Sequence, residues 1–368
     1  MLDSVKSHFA NIPGWRTKRK LVVFESDDWG MVRTSGIVAY TKLNGKYPLA
    51  SCEYSKNDAV ERRDDVTGLM EILTKNISQS GSIPKFTLNY VMFNPDFDKI
   101  KSDNFSSYHR KDVLDTYQHY PDSSGVMNLI MTGIEAGCFY PQFHATEHVN
   151  INNWILDLQS SQESTLEAFN FGMANLHARN DSSCPLEYLD SWGYRRTNQI
   201  EPLEETVRRG LVRFEEIFGF KSVSTIAPCY YWSDEFEIEA SKFGVIFFQG
   251  GRVQKTPQSN GFSSKRHFMG EHGKRGQHYT IRNVSFERVN NPAIDWVDRC
   301  LHEIGIAFKW NKPAIISSHR VNYIGRLIEK NRDKGLQDLD QLLKRVNKRW
   351  PEVEYLDSAQ LAYLIDSK

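Results

Sequence analysis

The sequence predicts an α/β fold in which parallel strands form a barrel or a doubly wound sheet. Short apolar segments of strand length alternate with amphipathic helical segments along the whole chain. Several of the apolar segments end directly at Asp, His or Pro, and no repeat, low-complexity tract or linker divides the 368 residues. We therefore expect one domain over residues 1–368, with insertions near 31–65, 96–130, 150–205 and 252–290.

The strand predictions rest on short apolar runs that are bounded by polar or turn residues. In chain order they cover residues 21–24, 85–93, 138–143, 222–227, 244–248, 313–318 and 353–355. The first run, Leu21–Phe24, has the length and composition of a fully buried strand.

The helix predictions rest on apolar residues that recur every three to four positions. They cover residues 66–73, 164–177, 201–218, 235–242, 294–310 and 338–348, and a closing helix follows. The segment 201–218 has the clearest boundaries, with Pro202 and Glu204 in its first turn and Gly219 after its end. Residues 256–277 are rich in Gly, Ser, Lys and His and are predicted to form a long loop.

The composition excludes several classes of protein. The 46 basic residues balance the 46 acidic ones, so we expect no nucleic-acid partner. No apolar run reaches transmembrane length, and Met1–Lys6 lacks the apolar segment of an export signal. The five cysteines form no C-x-x-C pair, which favours a reducing, cytoplasmic setting with each thiol buried as an apolar group: Cys52, Cys138, Cys184, Cys229 and Cys300.

The first buried strand leads into two adjacent carboxylates, Asp27 and Asp28. In α/β sheets and barrels, ligands bind at the carboxyl ends of the strands, which makes this pair a candidate site. Asp is also common in turns and at helix starts, so an ordinary turn is the alternative interpretation.

Two histidines follow the predicted strand 138–143. His144 and His148 are four residues apart, a spacing that on a helix places both rings on one face, where they can bind one metal ion. Two ordinary surface histidines are the alternative. One Asp and two His suit a catalytic zinc ion with open coordination positions.

Two more strand ends carry candidate residues. His319 follows the strand 313–318 and is a candidate acid or base, although a packed, hydrogen-bonded histidine is equally compatible with the sequence. Pro228 follows the strand 222–227 and is itself followed by a thiol and three consecutive aromatic residues. The three aromatic residues, Tyr230, Tyr231 and Trp232, cannot all point inward, so some of them are expected to line a cleft.

The order of these motifs resembles the polysaccharide deacetylases (carbohydrate esterase family 4, chitooligosaccharide deacetylase-like). Asp-Asp after the first strand, His-x-x-x-His after the third, a Pro-aromatic segment, Asp295-Trp296 and a late strand ending in His occur in the family's order over residues 20–320. The resemblance implies a distorted (β/α)7 barrel with large loop insertions, one divalent metal ion, which we expect to be zinc, and an acetylated carbohydrate as substrate.

The resemblance also implies a role for each matched residue. Asp27 corresponds to the catalytic base and His319 to the general acid. The metal ligands correspond to Asp28, His144 and His148. The backbone N–H of Cys229 corresponds to the oxyanion hole, and aromatic residues beside these motifs are expected to bind substrate: Trp29, Tyr230, Trp232 and Trp296.

Two positions depart from the family pattern. The family has Arg two residues before the Pro of its third motif and Asp three residues before the Asp of its fourth, where this chain has Ile226 and Pro292. Both members of one charge pair are absent together, which indicates a divergent member. A nearby cation normally favours the ionised form of the base, and Arg320 is the candidate replacement.

The resemblance implies a metal-dependent hydrolase that removes an acetyl group from an N- or O-acetylated sugar. Without an export signal, we expect a cytoplasmic enzyme that acts on a soluble or lipid-linked sugar. Two alternatives stay open: a metal-dependent amidohydrolase for a non-sugar C–N bond, and a non-catalytic carbohydrate-binding protein on the same fold. The sequence does not predict the oligomeric state.

Overall fold

Parallel strands form the central sheet of the computed structural model, which describes residues 8–9, 11–47, 49, 52–176, 188–259 and 261–367. The strands are β1 (Leu21–Trp29), β2 (Phe86–Val91), β3 (Phe93–Pro95), β4 (Arg110–Asp112), β5 (Phe139–Ala145), β6 (Ser224–Ile226), β7 (Phe247–Gly250), β8 (Val253–Gln258), β9 (Gly261–Arg266), β10 (Glu271–His272), β11 (His278–Ile281), β12 (Val284–Ser285), β13 (Ala314–His319) and β14 (Glu354–Leu356).

Helices lie between and around these strands. They are α1 (Ile37–Asn44), α2 (Glu53–Asn57), α3 (Arg63–Lys75), α4 (Phe97–Ser102), α5 (Val113–His119), α6 (Val126–Glu135), α7 (Ile151–Gln159), α8 (Glu163–Asn170), α9 (Ile200–Phe218), α10 (Asp234–Lys242), α11 (Trp296–Lys309), α12 (Glu329–Arg349) and α13 (Ser358–Asp366). Each helix in the described ranges is too short or too polar to serve as a membrane span.

The main sheet has ten strands and is centred on β1. β1 pairs in parallel with β13 on one side and with β2 on the other, and β14 lies beside the first residues of β1. The parallel order continues from β2 through β5, β6 and β7 to β11. Because these strands run the same way, their carboxyl ends meet at one edge, where Asp27 pairs in register with His319.

One short segment contacts both edges of this sheet. β11 pairs with β7, whereas β12, two residues later, pairs with β13. Between them, the N–H of Arg282 donates to Gly250 O at 2.8 Å and the N–H of Asn283 donates to Ile315 O at 3.2 Å. The sheet therefore curls round into an α/β barrel-like fold.

The two faces of β1 pack against different surroundings. Val22 and Phe24 belong to the large apolar core shared with the outer helices. Leu21 and Val23 point the other way, into a smaller apolar cluster that includes residues of α13. Glu25 and Asp27 follow on the same face as Val23, because side chains alternate along a strand. The inner face is thus apolar at its start and charged towards the carboxyl end.

The structure corrects three sequence predictions. Residues 256–277 are not a long loop, because β8 and β9 form an antiparallel hairpin there. The helix predicted from 338 begins at Glu329, since its first turns bury Asn331, Gly335 and Asp338 rather than apolar residues. The helix predicted over 164–177 ends at Asn170. His177 and Cys184 lie outside the described residues, and the prediction of one domain over the whole chain stays a prediction.

Helix α9 contacts β5 through Gly210. A Cβ added at Gly210 would overlap Thr146 Oγ1 and lie 2.7 Å from the Phe143 ring. We expect Gly210→Ala to lower the free energy of unfolding by about 1–3 kcal/mol, as overpacking in a core does. Gly305→Ala in α11 is the matched control, because its Cβ would meet atoms only at 3.7 Å or beyond. That control should raise stability by about 0.5–1 kcal/mol. Urea denaturation measures both; equal effects would contradict the packing described here.

Candidate metal centre

The ends of β1, β5, β6 and β13 enclose one cavity of about 250 Å³. Seven of the candidate site residues from the resemblance line it: Asp27, Asp28, His144, His148, Cys229, Tyr230 and His319. Arg33, Cys52 and Tyr54, from the segment predicted as an insertion, line the same cavity. The structure thus brings the separate sequence motifs to one place.

The backbone turns sharply between the two adjacent aspartates. Asp28 has φ 73°, in the left-handed region that non-glycine residues rarely occupy. The pairing of β1 with β2 also shifts its register between Ser26 and Trp29. In a regular strand the two carboxylates would point to opposite faces, but this turn lets both line the cavity. Such strain is typical of functional sites.

Asp28, His144 and His148 form a buried group whose ligand atoms lie within 4.8 Å of one another. The Nε2 atoms of His144 and His148 each lie 3.4 Å from Asp28 Oδ1. Two ligands about 2.1 Å from a shared ion at a tetrahedral angle are themselves about 3.4 Å apart. The spacing therefore fits one divalent ion held by these three side chains.

A hydrogen bond sets the tautomer of His144. Its Nδ1–H donates to the carbonyl of Ile226 at 2.8 Å, which leaves the lone pair on Nε2. This buried Nε2 has no hydrogen-bond partner among the described residues. Metal-binding histidines commonly have this arrangement, with one nitrogen bound to a backbone carbonyl and the other directed at the ion.

His148 does not share a helix with His144, as the sequence spacing suggested. His144 belongs to β5, and His148 lies in the turn that follows that strand. Burial lowers the pKa of His148 to about 3, outweighing the nearby Asp28 carboxylate, so the ring is neutral at pH 7. A neutral ring is the form that binds a metal ion.

Arg33 holds the second oxygen of Asp28. Its Nη2 lies 3.0 Å from Asp28 Oδ2, while its Nε donates to Asp58. Asp58 in turn accepts from Arg320, which also contacts Glu61. Burial alone raises the pKa of Asp28, but the neighbouring groups, among them the Arg33 guanidinium, outweigh it, and the pKa lies well below its ordinary value. Asp28 is therefore ionised, with Oδ1 free to bind an ion.

Asp27 is held by a different cation, Arg282. The Nη1 and Nη2 atoms of Arg282 donate to the two oxygens of Asp27 at 2.6 and 2.7 Å, and Asn89 donates a third bond at 2.7 Å. The Nε of Arg282 bonds Glu25 at 2.7 Å. Burial alone raises the pKa of Asp27, but Arg282 outweighs it and the pKa lies below its ordinary value.

The expectation that Arg320 replaces the absent Arg at position 226 is wrong. Arg320 is fully buried against Asp58 and Glu61, and Arg282 supplies the charge beside Asp27. Neighbouring residues at the end of β13 point to opposite sides, so His319 faces Asp27 while Arg320 faces away.

His319 pairs with Glu287. Its Nδ1–H donates to Glu287 Oε1 at 2.6 Å, and its Nε2 lies 3.7 Å from Asp27 Oδ2. Burial alone lowers the pKa of His319, but Glu287 outweighs it and raises the pKa to about 9. The ring is therefore protonated at pH 7. Tyr54 contacts the same ring edge-on, with centroids 5.2 Å apart.

Asp295 and the predicted tryptophans lie elsewhere. Asp295 is the N-cap of α11, where its side chain accepts from the N–H of Asp298. The indoles of Trp29, Trp232 and Trp296 are buried in the hydrophobic core. Their N–H groups donate to Ser26, Glu237 and the carbonyl of Asn291. These three side chains do not line the cavity, whereas Tyr230 does.

The loop after β6 is strained where it meets the cavity. Cys229 and Tyr230 have φ angles of 55° and 62°, which turn the chain across the cavity wall. Cys229 and Cys52 are half-buried rather than buried, unlike Cys138 and Cys300. Burial raises the pKa of the Cys229 thiol to about 12, so it stays neutral and is a poor nucleophile.

Arg282 and Glu287 were missed from the sequence because 252–290 was interpreted as an insertion. Each follows a segment of three residues with a polar residue at its centre, Tyr279–Ile281 before Arg282 and Val284–Phe286 before Glu287. These segments overlap strands β11 and β12, and their short length and central Thr or Ser made the strand signal weak.

Comparisons with known proteins give distant structural similarity only. No family model matches the chain, and no curated protein matches it. A Mycobacterium smegmatis protein provisionally called a polysaccharide deacetylase aligns over 96% of this chain and 93% of its own, at 12% identity and TM-score 0.44. A GH57-type branching enzyme of Pyrococcus horikoshii aligns over 96% and 71%, at 12% identity and TM-score 0.46.

A third solved structure is a Bacillus anthracis pseudoenzyme of the CE4 family. It aligns over 94% of this chain and 66% of its own, at 9% identity and TM-score 0.37. These values describe a distant fold relationship. The chemistry of this chain is therefore argued from its own residues.

The geometry predicts different metal-binding effects for the two adjacent aspartates. Asp28→Asn should weaken zinc binding about 100-fold or more, because it removes a charged ligand. Asp27→Asn is the matched control and should change zinc affinity less than about threefold, since its carboxylate is directed at Arg282. Competition with a chromophoric chelator measures both affinities. If Asp27→Asn lost the ion and Asp28→Asn kept it, the assignment would be reversed.

Proposed function

We propose that this chain is a metal-dependent hydrolase that removes an acetyl group from an N- or O-acetylated sugar, as a divergent member of the polysaccharide deacetylases. One observation carries the proposal. The Asp28–His144–His148 group shares a cavity with an arginine-bound carboxylate, Asp27, and a protonated imidazole, His319. Hydrolysis of an amide or ester needs these three parts: a metal ligand set, a base and an acid.

We assign the metal site to zinc, because one carboxylate and two neutral imidazoles are typical ligands of a catalytic zinc ion. When bound, the ion would supply Lewis acidity, which polarises a carbonyl oxygen and lowers the pKa of water. Asp28, His144 and His148 would hold it on one side and leave its other side open to the cavity.

The remaining residues act on the acetyl group. Asp27 accepts a proton from the attacking water, and Arg282 keeps this carboxylate ionised and oriented. The N–H of Cys229 donates to the developing oxyanion. His319, protonated and oriented by Glu287, gives its proton to the leaving amine or alkoxide. Tyr230 lines the sugar side of the cavity.

Two residues argue against the non-catalytic alternative. That alternative rests on the absence of the charge pair of Arg at 226 and Asp at 292, yet Arg282 places a cation beside Asp27 and is itself paired with Glu25. We also propose that the barrel is the seven-stranded deacetylase type, with β11 and β12 together filling the seventh position between β7 and β13. A cytoplasmic location is part of this proposal.

Acetate release tests the function directly. We expect the zinc-loaded protein to release acetate from a panel of N-acetylated and O-acetylated oligosaccharides, and to lose this activity when chelator removes the ion. Asp27→Asn should lower kcat by about 10²–10⁴-fold while zinc stays bound. Release that persists without metal, or no release from any acetylated sugar, would overturn the proposal, and release from simple amides alone would favour the non-sugar alternative.

The raised pKa of His319 predicts an alkaline limit on activity. The acid must be protonated, so kcat/KM should fall as pH rises through about 9. In Glu287→Gln the partner charge is removed, so this limb should move down towards the ordinary value of 6.5. Glu237→Gln is the matched control, a buried carboxylate that contacts Trp232 and Tyr279 instead. If the alkaline fall of kcat/KM occurred at the same pH in Glu287→Gln as in the parent protein, His319 would not be the titrating acid.

A further inference from the structure

The β8–β9 hairpin projects from the cavity wall. Its strands pair antiparallel from Val253 opposite Arg266 to Gln258 opposite Gly261, and β9 is exposed along its length. The hairpin is attached to the loop that follows β6, because the N–H of Trp232 donates to Lys255 O at 3.1 Å. The hairpin therefore extends the same wall that carries Cys229 and Tyr230.

The hairpin carries positive charge only. Residues 251–268 contain four cations and no Asp or Glu, although the whole chain has a net charge of zero: Arg252, Lys255, Lys265 and Arg266. Within the described ranges, none of the four forms an ion pair. This charge is therefore available to an anionic partner.

The two faces of the hairpin differ. Gln254 is fully buried towards the body of the protein, where its amide donates to Trp232 O at 3.0 Å. Lys265 pairs opposite Gln254 and so shares this inner face, with its ammonium 5.4 Å from the Tyr279 ring. Lys255, Phe262 and Arg266 alternate with these residues and occupy the outer face.

An ordered aromatic and cationic surface covers the outer face. The ammonium of Lys255 lies 4.9 Å from the centre of the Tyr231 ring and 5.5 Å from that of Phe262. The two rings contact edge-on at 5.4 Å. Tyr231 is buried, whereas Phe262 remains 45% exposed, and Arg266, four residues further along β9 on the same face, is exposed as well. We call Tyr231, Lys255, Phe262 and Arg266 the hairpin platform.

The platform adjoins the cavity wall. Tyr230 lines the cavity, and its ring lies over Gly250 and Gly251 at the root of the hairpin, where an added Cβ would meet it at 3.7 Å. Tyr231, the next residue, belongs to the platform. The cavity wall and the platform therefore meet at two consecutive residues, Tyr230 and Tyr231.

We propose that the hairpin platform binds an anionic glycan, the extension of the acetylated chain whose acetyl group enters the cavity. This proposal rests on the proposed function, since the bound chain is the substrate. The exposed ring of Phe262 can contact the apolar face of a sugar ring, and Lys255 and Arg266 attract carboxylates along the chain. This cationic surface is only as wide as one hairpin, which favours a single glycan strand over a nucleic-acid duplex.

Binding is tested with a polygalacturonate hexamer, and the neutral hexamer of N-acetylglucosamine is the comparison ligand. Phe262→Ala combined with Arg266→Gln should weaken polygalacturonate binding about tenfold, with each contact contributing a factor of about 2–5. Lys265→Gln is the matched control, because it removes the adjacent charge from the inner face. It should change affinity less than about twofold. Calorimetry at two ionic strengths should show that salt weakens binding to the parent protein more than to Arg266→Gln.

Three results would overturn the platform. The first is that the neutral hexamer binds as tightly as polygalacturonate. The second is that Lys265→Gln weakens binding as much as Arg266→Gln does. The third is that polyuridylate of matched length displaces polygalacturonate from the hairpin, which would identify a nucleic-acid surface instead.

Turnover separates this inference from the proposed function. On O-acetylated polygalacturonate, Phe262→Ala with Arg266→Gln should raise KM about tenfold and leave kcat unchanged, and hydrolysis of p-nitrophenyl acetate should be unaffected. If acetate is released but neither KM nor the dissociation constant responds to these substitutions, the platform is wrong and the function stands. If no acetylated sugar is hydrolysed while platform-dependent binding persists, the hydrolase proposal is wrong and the glycan surface stands.

Discussion

The site depends on the buried ion pair between Arg282 and Asp27. Arg282 lies in the two-residue link between β11 and β12, the segment that bonds both edges of the sheet. Its side chain neutralises Asp27 and also contacts Glu25 on the same inner face of β1. Losing one partner of a buried pair leaves an uncompensated charge and costs roughly 3–5 kcal/mol. Closure of the sheet and ionisation of Asp27 are thus coupled through one residue.

The two adjacent aspartates pair with different positively charged side chains. Asp27 faces Arg282 and Asn89 inside the barrel, whereas Asp28 faces Arg33 and the chain of charges that continues through Asp58 to Arg320. Each carboxylate has its own cation from a different segment. The left-handed backbone at Asp28 makes this division geometrically feasible, because it directs neighbouring side chains into one cavity from different directions.

The segments predicted as insertions supply much of the site. Residues 31–65 contribute Arg33, Cys52 and Tyr54 to the cavity and Asp58 behind it. Residues 252–290 contribute Arg282, Glu287 and the hairpin. A regular strand offers one side chain every second residue to the barrel interior, so the additional charges that orient and ionise the strand-end residues come from the connections between elements.

The sequence by itself determined the alternation of strands and helices, the buried character of Leu21–Phe24 and the candidate group Asp27, Asp28, His144, His148 and His319. These are local properties, since an apolar run that ends in a polar residue can be recognised without knowing its neighbours. Only the tertiary structure decided that Arg282 and not Arg320 contacts Asp27, that Glu287 pairs with His319, and that Trp29, Trp232 and Trp296 pack in the core. Those outcomes depend on which segments the curled sheet brings together and on which side of the backbone each side chain leaves, and neither is encoded in spacing along the chain.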